Sequence, residues 1–131
     1  MNGRLAGLIL SFVMVSSALS AHHSGTWADS QNPVTLTGTV TEFTYTNPHV
    51  LMTLAVKGQT GDVEKWVVEF NSPQSLRRSG LTATTIKPGD QIVISGSPAK
   101  DGRKMIASMG SRKFSINGQE FDLRRGGGGN E

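Results

Sequence analysis

The chain of 131 residues contains no cysteine. This absence excludes disulfide bonds, thiolate metal ligands and a cysteine nucleophile. Small secreted eukaryotic domains usually depend on disulfides, so an exported protein without them fits the bacterial periplasm better. The fold must be stabilised by its hydrophobic core alone, and about 110 residues are enough to build one such core.

Long hydrophobic runs are also scarce. The apolar stretch Leu5–Val15 is shorter than the roughly 20 residues that a transmembrane helix needs. It follows Arg4 and is followed by the small residues of segment 16–21, which is the three-part pattern of a secretory signal peptide. An uncleaved N-terminal anchor helix is the alternative.

The small residues place the predicted cleavage site. Ala18 at −3 and Ser20 at −1 favour cleavage after Ser20, while cleavage after Ala21 or after Ala18 stays open. We therefore expect residues 1–20 to be a signal peptide. The mature chain is then periplasmic or secreted, with no stable insertion in the membrane.

Charge of one sign is present only in slight excess. The formal net charge is +3, and loss of Arg4 with the signal peptide lowers it to +2. This balance is not that of a polyanion-binding protein, and nucleic acid is a poor partner for an exported chain. His-Glu-x-x-His and Gly-x-Ser-x-Gly motifs are absent, and the glycine-rich tail lacks the Lys-Ser/Thr pair of a phosphate loop. The sequence therefore predicts a protein that is not an enzyme.

The residues that are present alternate with the period of β-strands. Apolar positions predict a long first strand from Val34 to Tyr45, bent by a bulge near Thr41-Glu42, and further strands at 50–56, 63–70, 91–97 and 105–114. Asn117-Gly118 predicts a final hairpin over 114–123.

A short helix is predicted between the third and fourth strands. Ser72 suits the N-cap, Pro73 the first helical position and Gly80 the C-terminal cap. Three strands, a helix and two more strands is the order of the OB-fold, a five-stranded Greek-key barrel. The fold class is thus all-β with one short helix, an OB-fold-like barrel plus a C-terminal hairpin. A small open β-sandwich is the alternative.

These elements divide the mature chain into three parts. Residues 21–33 form an N-terminal segment with the His-His motif, residues 34–123 the OB-like domain, and residues 124–131 a disordered glycine-rich tail. We expect a monomer.

Several short motifs together resemble the DUF6152 family, a group of small exported bacterial proteins of unknown function. The motifs occur in a specific order and spacing, and they extend through about residue 111 of the mature chain: Ala21-His22-His23-Ser24, Pro33 to Gly38, Thr46-Asn47-Pro48-His49, Ser72-Pro73 with Leu76-Arg77-Arg78 and Gly80, and Lys87-Pro88-Gly89-Asp90. The resemblance implies an exported small β-domain and brings no established activity.

Histidine is scarce and distinctively placed in this chain, which has three: His22, His23 and His49. Imidazole is a preferred ligand of copper and zinc. After cleavage at Ser20, the Ala21 amine, two backbone amides and the His23 imidazole can surround Cu(II) in a square plane. After cleavage at Ala21, the amine and ring of His22 form a bidentate pair that His49 can complete.

The alternative is that His22 and His23 belong to a flexible, solvated N-terminus and that His49 caps the turn after Asn47-Pro48. We therefore carry two functions forward. The first is an exported, non-enzymatic binding module that coordinates a copper-type ion through His22, His23 and His49. The second is a metal-free periplasmic adaptor or OB-like domain that binds an envelope protein or a small ligand.

Overall fold

The computed structural model describes residues 27–108, 111 and 113–126. The predicted signal peptide, His22 and His23 lie outside this part of the chain. Within it, seven strands, one α-helix and one 3₁₀ helix follow one another: β1 (Val34–Thr44), β2 (Leu51–Lys57), β3 (Val63–Glu69), α1 (Pro73–Arg78), β4 (Gln91–Pro98), β5 (Met105–Ala107), β6 (Phe114–Ile116), β7 (Gln119–Glu120) and the 3₁₀ helix (Leu123–Gly126). None of the helices described there is long and apolar enough to cross a membrane.

The first five strands close into a barrel. Their order is β1-β2-β3-β5-β4, and β1 also pairs with β4. The β3–β5 pair is parallel and the other pairs of the barrel are antiparallel. This is the topology of the OB-fold, and closure through β1 and β4 confirms the barrel rather than the open sandwich.

Strand β1 bends so that it can pair on both sides. The register with β2 shifts between Val40 and Glu42, which confirms the predicted bulge. At Gly38 a Cβ atom would lie 2.7 Å from the Ala55 carbonyl oxygen, so only glycine permits this approach of β1 to β2.

The core fills the inside of the barrel and continues under α1. Its largest fully buried side chains share the inward-facing positions of the strands or lie on the loops that close the barrel end: Val40, Val50, Met52, Leu54, Val68, Phe70, Leu81, Ile92, Ile94, Ile106 and Phe114. Phe70 and Phe114 meet edge to face with ring centroids 5.9 Å apart.

Helix α1 begins as predicted. Ser72 accepts a hydrogen bond from the Ser75 N–H, and Pro73 occupies the first turn. The C-cap is Ser79, and Gly80 follows it with φ +84°, which is the left-handed position that glycine tolerates. Leu76 is buried, so the helix closes one end of the barrel.

The prediction of one continuous fifth strand over 105–114 is wrong. The structure has β5 against β3 and the end of β4, then β6 against the first half of β4. The division begins at Ser108, whose N–H and hydroxyl both donate to the Glu69 carbonyl oxygen and whose own carbonyl accepts from the Ser111 N–H. Because those bonds turn the chain, the strand cannot run on in one register.

The predicted final hairpin is present. β6 and β7 pair around Asn117 and Gly118, whose φ angles are +50° and +85°. Positive φ at both central positions is what a two-residue hairpin turn requires, and Asn-Gly is the sequence best suited to it.

Candidate metal-binding site

His49 lies in the turn between β1 and β2, directly after the cis Asn47-Pro48 peptide bond. The next residue, Val50, is fully buried and is fixed on both sides of its backbone. Its N–H donates to the Asn71 carbonyl oxygen at 3.2 Å, and its carbonyl oxygen accepts from the Phe70 N–H at 2.9 Å. These bonds extend the β2–β3 ladder by one residue and place His49 beside the end of β3.

The imidazole of His49 faces a carboxylate. Its Nδ1 lies 3.0 Å from Oε1 of Glu69. The side chain of His49 is 31% exposed and that of Glu69 is 12% exposed, so the carboxylate is the more deeply buried partner of the pair. A carboxylate at this nitrogen favours the tautomer that carries its proton on Nδ1, which leaves the lone pair on Nε2.

The position of Glu69 is fixed by the barrel. The residue pairs with Leu51 of β2 on one side and with Ala107 of β5 on the other. Its carbonyl oxygen accepts from the Ser108 N–H at 2.9 Å and from the Ser108 hydroxyl at 3.0 Å. The carboxylate is therefore presented by the interior of a sheet, which holds a side chain more precisely than a loop does.

The prediction for His49 was incomplete because it left Glu69 out. The register of the β2–β3 hairpin could have indicated Glu69. Lys57 pairs with Val63 at the turn, and the same register brings Leu51 opposite Glu69. A reading of the sequence that fixed this turn would have placed Glu69 two positions from the histidine across the ladder.

The described residues contain no metal-binding group of three side chains. Within residues 27–108, 111 and 113–126, no three His, Cys, Asp or Glu side chains are grouped so that they can hold an ion. Glu69 is the polar partner that the structure gives the His49 ring in this part of the chain. Whether His22 and His23 meet His49 stays a prediction.

The chain enters the described structure at a defined point on the barrel. The Trp27 carbonyl oxygen accepts from the Lys100 N–H at 3.0 Å, and Ala28 forms a bridge with Ala99. Three residues separate His23 from Trp27, so the four chain steps between their Cα atoms span at most about 14 Å. A site shared with His49 therefore has to be reached from the turn between β4 and β5.

Met52 has a thioether, which is a soft ligand for copper, but its position in the barrel gives it a packing role. Met52 of β2 is fully buried in the core, and its neighbours across the ladders are Phe43 and Val68. A thioether in this position fills space among apolar side chains and is closed to a metal ion.

A second charged cluster fastens the turn between β4 and β5 to β3. Oε2 of Glu64 accepts from the Trp66 indole N–H at 2.9 Å, and Oε1 lies 3.2 Å from Lys104 Nζ. The Lys104 ammonium also lies 5.2 Å from the centroid of the Trp66 ring. The Trp66 hydrogen bond, followed by Lys104, lowers the pKa of the Glu64 carboxyl below its ordinary value. The three side chains contact one another, so we call this cluster the clamp and assign it a structural role.

An open cavity of about 450 Å³ lies between the end of α1 and the β6–β7 hairpin. It is lined by charges of both signs and by two aromatic rings: Ser79, Lys113, Phe114, Glu120, Phe121, Asp122 and Arg124. The Arg124 guanidinium donates to both carboxylate oxygens of Asp122, at 2.9 and 3.0 Å. Its volume is within the range of small-molecule sites.

Comparison with known protein families shows which family the chain belongs to. Residues 10–108 match DUF6152, described as a family of unknown function. The chain belongs to the DUF6152 family. The match spans the motifs that pointed to DUF6152 and ends at Ser108, where β5 has left the β3 ladder.

The other comparisons add little. No curated protein matches this DUF6152 chain. Among solved structures it is similar to the mitochondrial single-stranded DNA-binding protein Rim1 of S. cerevisiae, with 9% identity, 65% of this chain and 92% of that chain covered, and a TM-score of 0.47.

Proposed function

We propose that the protein is an exported, non-enzymatic binding module that holds a copper ion through His23 and His49, with His22 as the replacement for His23 if the mature chain begins one residue later. The observation that carries the proposal is the contact between His49 Nδ1 and the largely buried Glu69 carboxylate. Metal-bound histidines typically have such a carboxylate at the ring nitrogen that does not face the metal.

The pair supports copper binding through two physical effects. The carboxylate sets the tautomer, so that Nε2 of His49 carries the lone pair that a metal needs. The partial exposure of the ring leaves it accessible from outside the barrel. A single imidazole binds weakly, so the remaining ligands have to come from the mature N-terminus.

An N-terminus that begins at Ala21 supplies those ligands. Its amine, two deprotonated backbone amides and the His23 imidazole would be four donors of the kind that Cu(II) accepts. The His49 imidazole would add a further donor. A chain that begins at His22 would instead offer its amine and the His22 imidazole, and His49 would complete that set.

The experiment begins with the intact mass of the exported protein, which identifies the residue that carries the free amine. Cu(II) is then titrated into this protein and into His22→Ala, His23→Ala and His49→Ala, in competition with a chelator of known affinity. For a chain that begins at Ala21, we expect His23→Ala to weaken binding most, His49→Ala to weaken it less, and His22→Ala to serve as the matched control. Equal affinity in His23→Ala, His49→Ala and the parent would refute the shared site.

A small-ligand function is favoured by one specific observation, the cavity beside the β6–β7 hairpin. Lys113 and Glu120 offer opposite charges at its wall, and Phe121 offers an aromatic ring. A complementary ligand carries an anionic group for Lys113, a cationic group for Glu120 and an apolar part for Phe121, as a free peptide or amino acid does.

The dipeptide glycyl-phenylalanine is a suitable probe, and N-acetyl-phenylalaninamide, which has the same ring and no charges, is its control. We expect the dipeptide to shift the NMR signals of Glu120 and Phe121, and Lys113→Ala to remove these shifts. Equal shifts with the uncharged control, or none with either compound, would argue against this function.

A further inference from the structure

Asn117 and Gly118 form the turn of the β6–β7 hairpin and stand next to each other in the order that favours loss of the asparagine side-chain amide. The backbone nitrogen after an asparagine can attack the side-chain carbonyl carbon, and a following glycine, which has no Cβ, leaves that approach open. Asparagine is accordingly one of the thermally labile residues of proteins. The question is whether this fold permits the reaction.

The folded structure holds the Asn117 side chain at both of its polar atoms. Its Nδ2 donates to Oδ1 of Asp90 at 3.0 Å, and its Oδ1 accepts from the Gln91 N–H at 2.9 Å. The Asn117 N–H also donates to the Gln91 carbonyl oxygen at 2.8 Å. These three bonds attach the hairpin turn to the start of β4.

The bonds oppose the attack for a geometric reason. The carbonyl carbon of the Asn117 side chain lies between the oxygen bound to Gln91 and the nitrogen bound to Asp90. For the Gly118 nitrogen to reach this carbon, the side chain has to rotate, and both bonds have to be released. The backbone around Asn117 is also restrained, because the turn is held by the β6–β7 pairing and by the bond from the Asn117 N–H to the Gln91 carbonyl oxygen.

We propose that Asn117 is a latent deamidation site that the fold protects and that unfolding exposes. In the reaction the Gly118 nitrogen forms a bond to Cγ of Asn117, the bond from Cγ to Nδ2 breaks, and Nδ2 leaves as ammonia. The Gly118 nitrogen loses its proton in the process. Water then opens the five-membered imide and leaves aspartate or isoaspartate at position 117.

The product does not fit the site that it came from. A carboxylate at position 117 has no N–H to donate, and it faces Oδ1 of Asp90 at the distance of the lost hydrogen bond. Two like charges in contact destabilise the folded state. Deamidation of Asn117 during unfolding therefore lowers the stability of the refolded chain. The deamidated fraction increases with the time that the chain has spent unfolded.

The test compares the deamidation rate of Asn117 in the mature protein in native buffer and in denaturant at the same pH and temperature, by peptide mapping. Since two side-chain hydrogen bonds have to be released first, we expect the folded rate to be at least about tenfold lower. Gly118→Ala in denaturant is the control for the route, because its Cβ obstructs the attack and should slow the reaction. Equal rates in the folded and the denatured chain would overturn the proposal.

Two variants test the network itself. Asp90→Ala, which removes the acceptor of Nδ2, should raise the rate in native buffer at least about fivefold. Asn117→Asp should lower the thermal unfolding midpoint, whereas Gln119→Glu, which adds the same charge at an exposed position of the same hairpin, should leave it nearly unchanged. An Asn117→Asp variant as stable as Gln119→Glu would contradict the predicted conflict with Asp90, and the comparison of folded and denatured rates decides the proposal even if Asp90→Ala does not fold.

Discussion

Replacement of Asp90 by alanine should destabilise the barrel strongly, because its carboxylate joins two separate turns. The carboxylate accepts from the Lys87 N–H at 2.8 Å through Oδ2 and from Asn117 Nδ2 at 3.0 Å through Oδ1. It thus joins the turn before β4 to the β6–β7 hairpin. The backbone of Asp90 is also bound, since its carbonyl oxygen accepts from the Val40 N–H at 2.9 Å.

The magnitude follows from the two side-chain bonds. Hydrogen bonds to a charged group contribute about 1.5 kcal/mol each at the lower end of their range, so Asp90→Ala should lower the free energy of unfolding by about 3 kcal/mol. For a domain of this size, that loss corresponds to a fall in the melting temperature of about 12 °C or more. Urea unfolding followed by tryptophan fluorescence measures the change.

The same carboxylate makes the stability depend on pH. The Asn117 hydrogen bond, then the Lys87 N–H, lowers the pKa of Asp90 below its ordinary value. A group with a lowered folded-state pKa contributes stability that is complete above its unfolded pKa, about 3.9, and that is lost as the pH falls through the folded value. Parent protein should therefore lose stability below about pH 4 more steeply than Asp90→Ala does.

Two results would refute this reasoning. A loss of less than about 1 kcal/mol in Asp90→Ala would mean that water replaces the two hydrogen bonds at little cost. Identical acid profiles for parent and variant would mean that the ionised form of Asp90 has no special role. A double-mutant cycle with Asn117→Ala separates the shared bond, and we expect a coupling energy of about 1 kcal/mol.

Three further changes probe the rest of the structure. Tyr45→Phe removes the hydroxyl that donates to the carbonyl oxygens of Pro73 at 2.7 Å and Leu81 at 3.0 Å, and it should cost about 1 kcal/mol in urea unfolding; an unchanged midpoint would contradict this. Gly38→Val places a Cβ 2.7 Å from the Ala55 carbonyl oxygen, and this overpacking should lower the free energy of unfolding by about 1–3 kcal/mol. A variant as stable as the parent would show that β1 can move away from β2 at this position. Glu69→Gln keeps the shape beside His49 and removes the charge, and it should weaken copper binding about 10-fold to 100-fold, while equal affinity would show that the carboxylate does not tune the ring.

Local sequence signals were sufficient for much of the fold. The bulge after Val40, the N-cap at Ser72 and the Asn117-Gly118 turn each depend on residues that are neighbours in the chain, and all three are present. Their order along the chain was enough to indicate the barrel, because few topologies accommodate three strands, a helix and two strands.

The failures share a different cause, which is contact between distant segments. The break between β5 and β6 follows from the bonds of Ser108 to the Glu69 carbonyl oxygen, across 39 positions of sequence. The clamp of Glu64, Trp66 and Lys104 likewise depends on the parallel pairing of β3 with β5, which periodicity alone does not reveal.

Only one member of the His49–Glu69 pair was predicted, because the contact joins distant segments of the chain. His49 stands out in the sequence because histidine is scarce and because it follows Asn47-Pro48. Glu69 has no local signal, and only the register of the β2–β3 hairpin brings it to the ring. Scarcity and position single out His49 as a candidate, whereas its carboxylate partner has to be read from the pairing of strands.

The central proposal, that His49 is a copper ligand, is tested most directly by pulsed electron paramagnetic resonance of protein prepared with its N-terminus at Ala21 and loaded with one equivalent of Cu(II). We predict a coupling from the remote nitrogen of the His49 imidazole that disappears in His49→Ala and is retained in Glu69→Gln with altered strength. A spectrum that His49→Ala leaves unchanged would contradict the account and would leave the N-terminus as the copper site by itself.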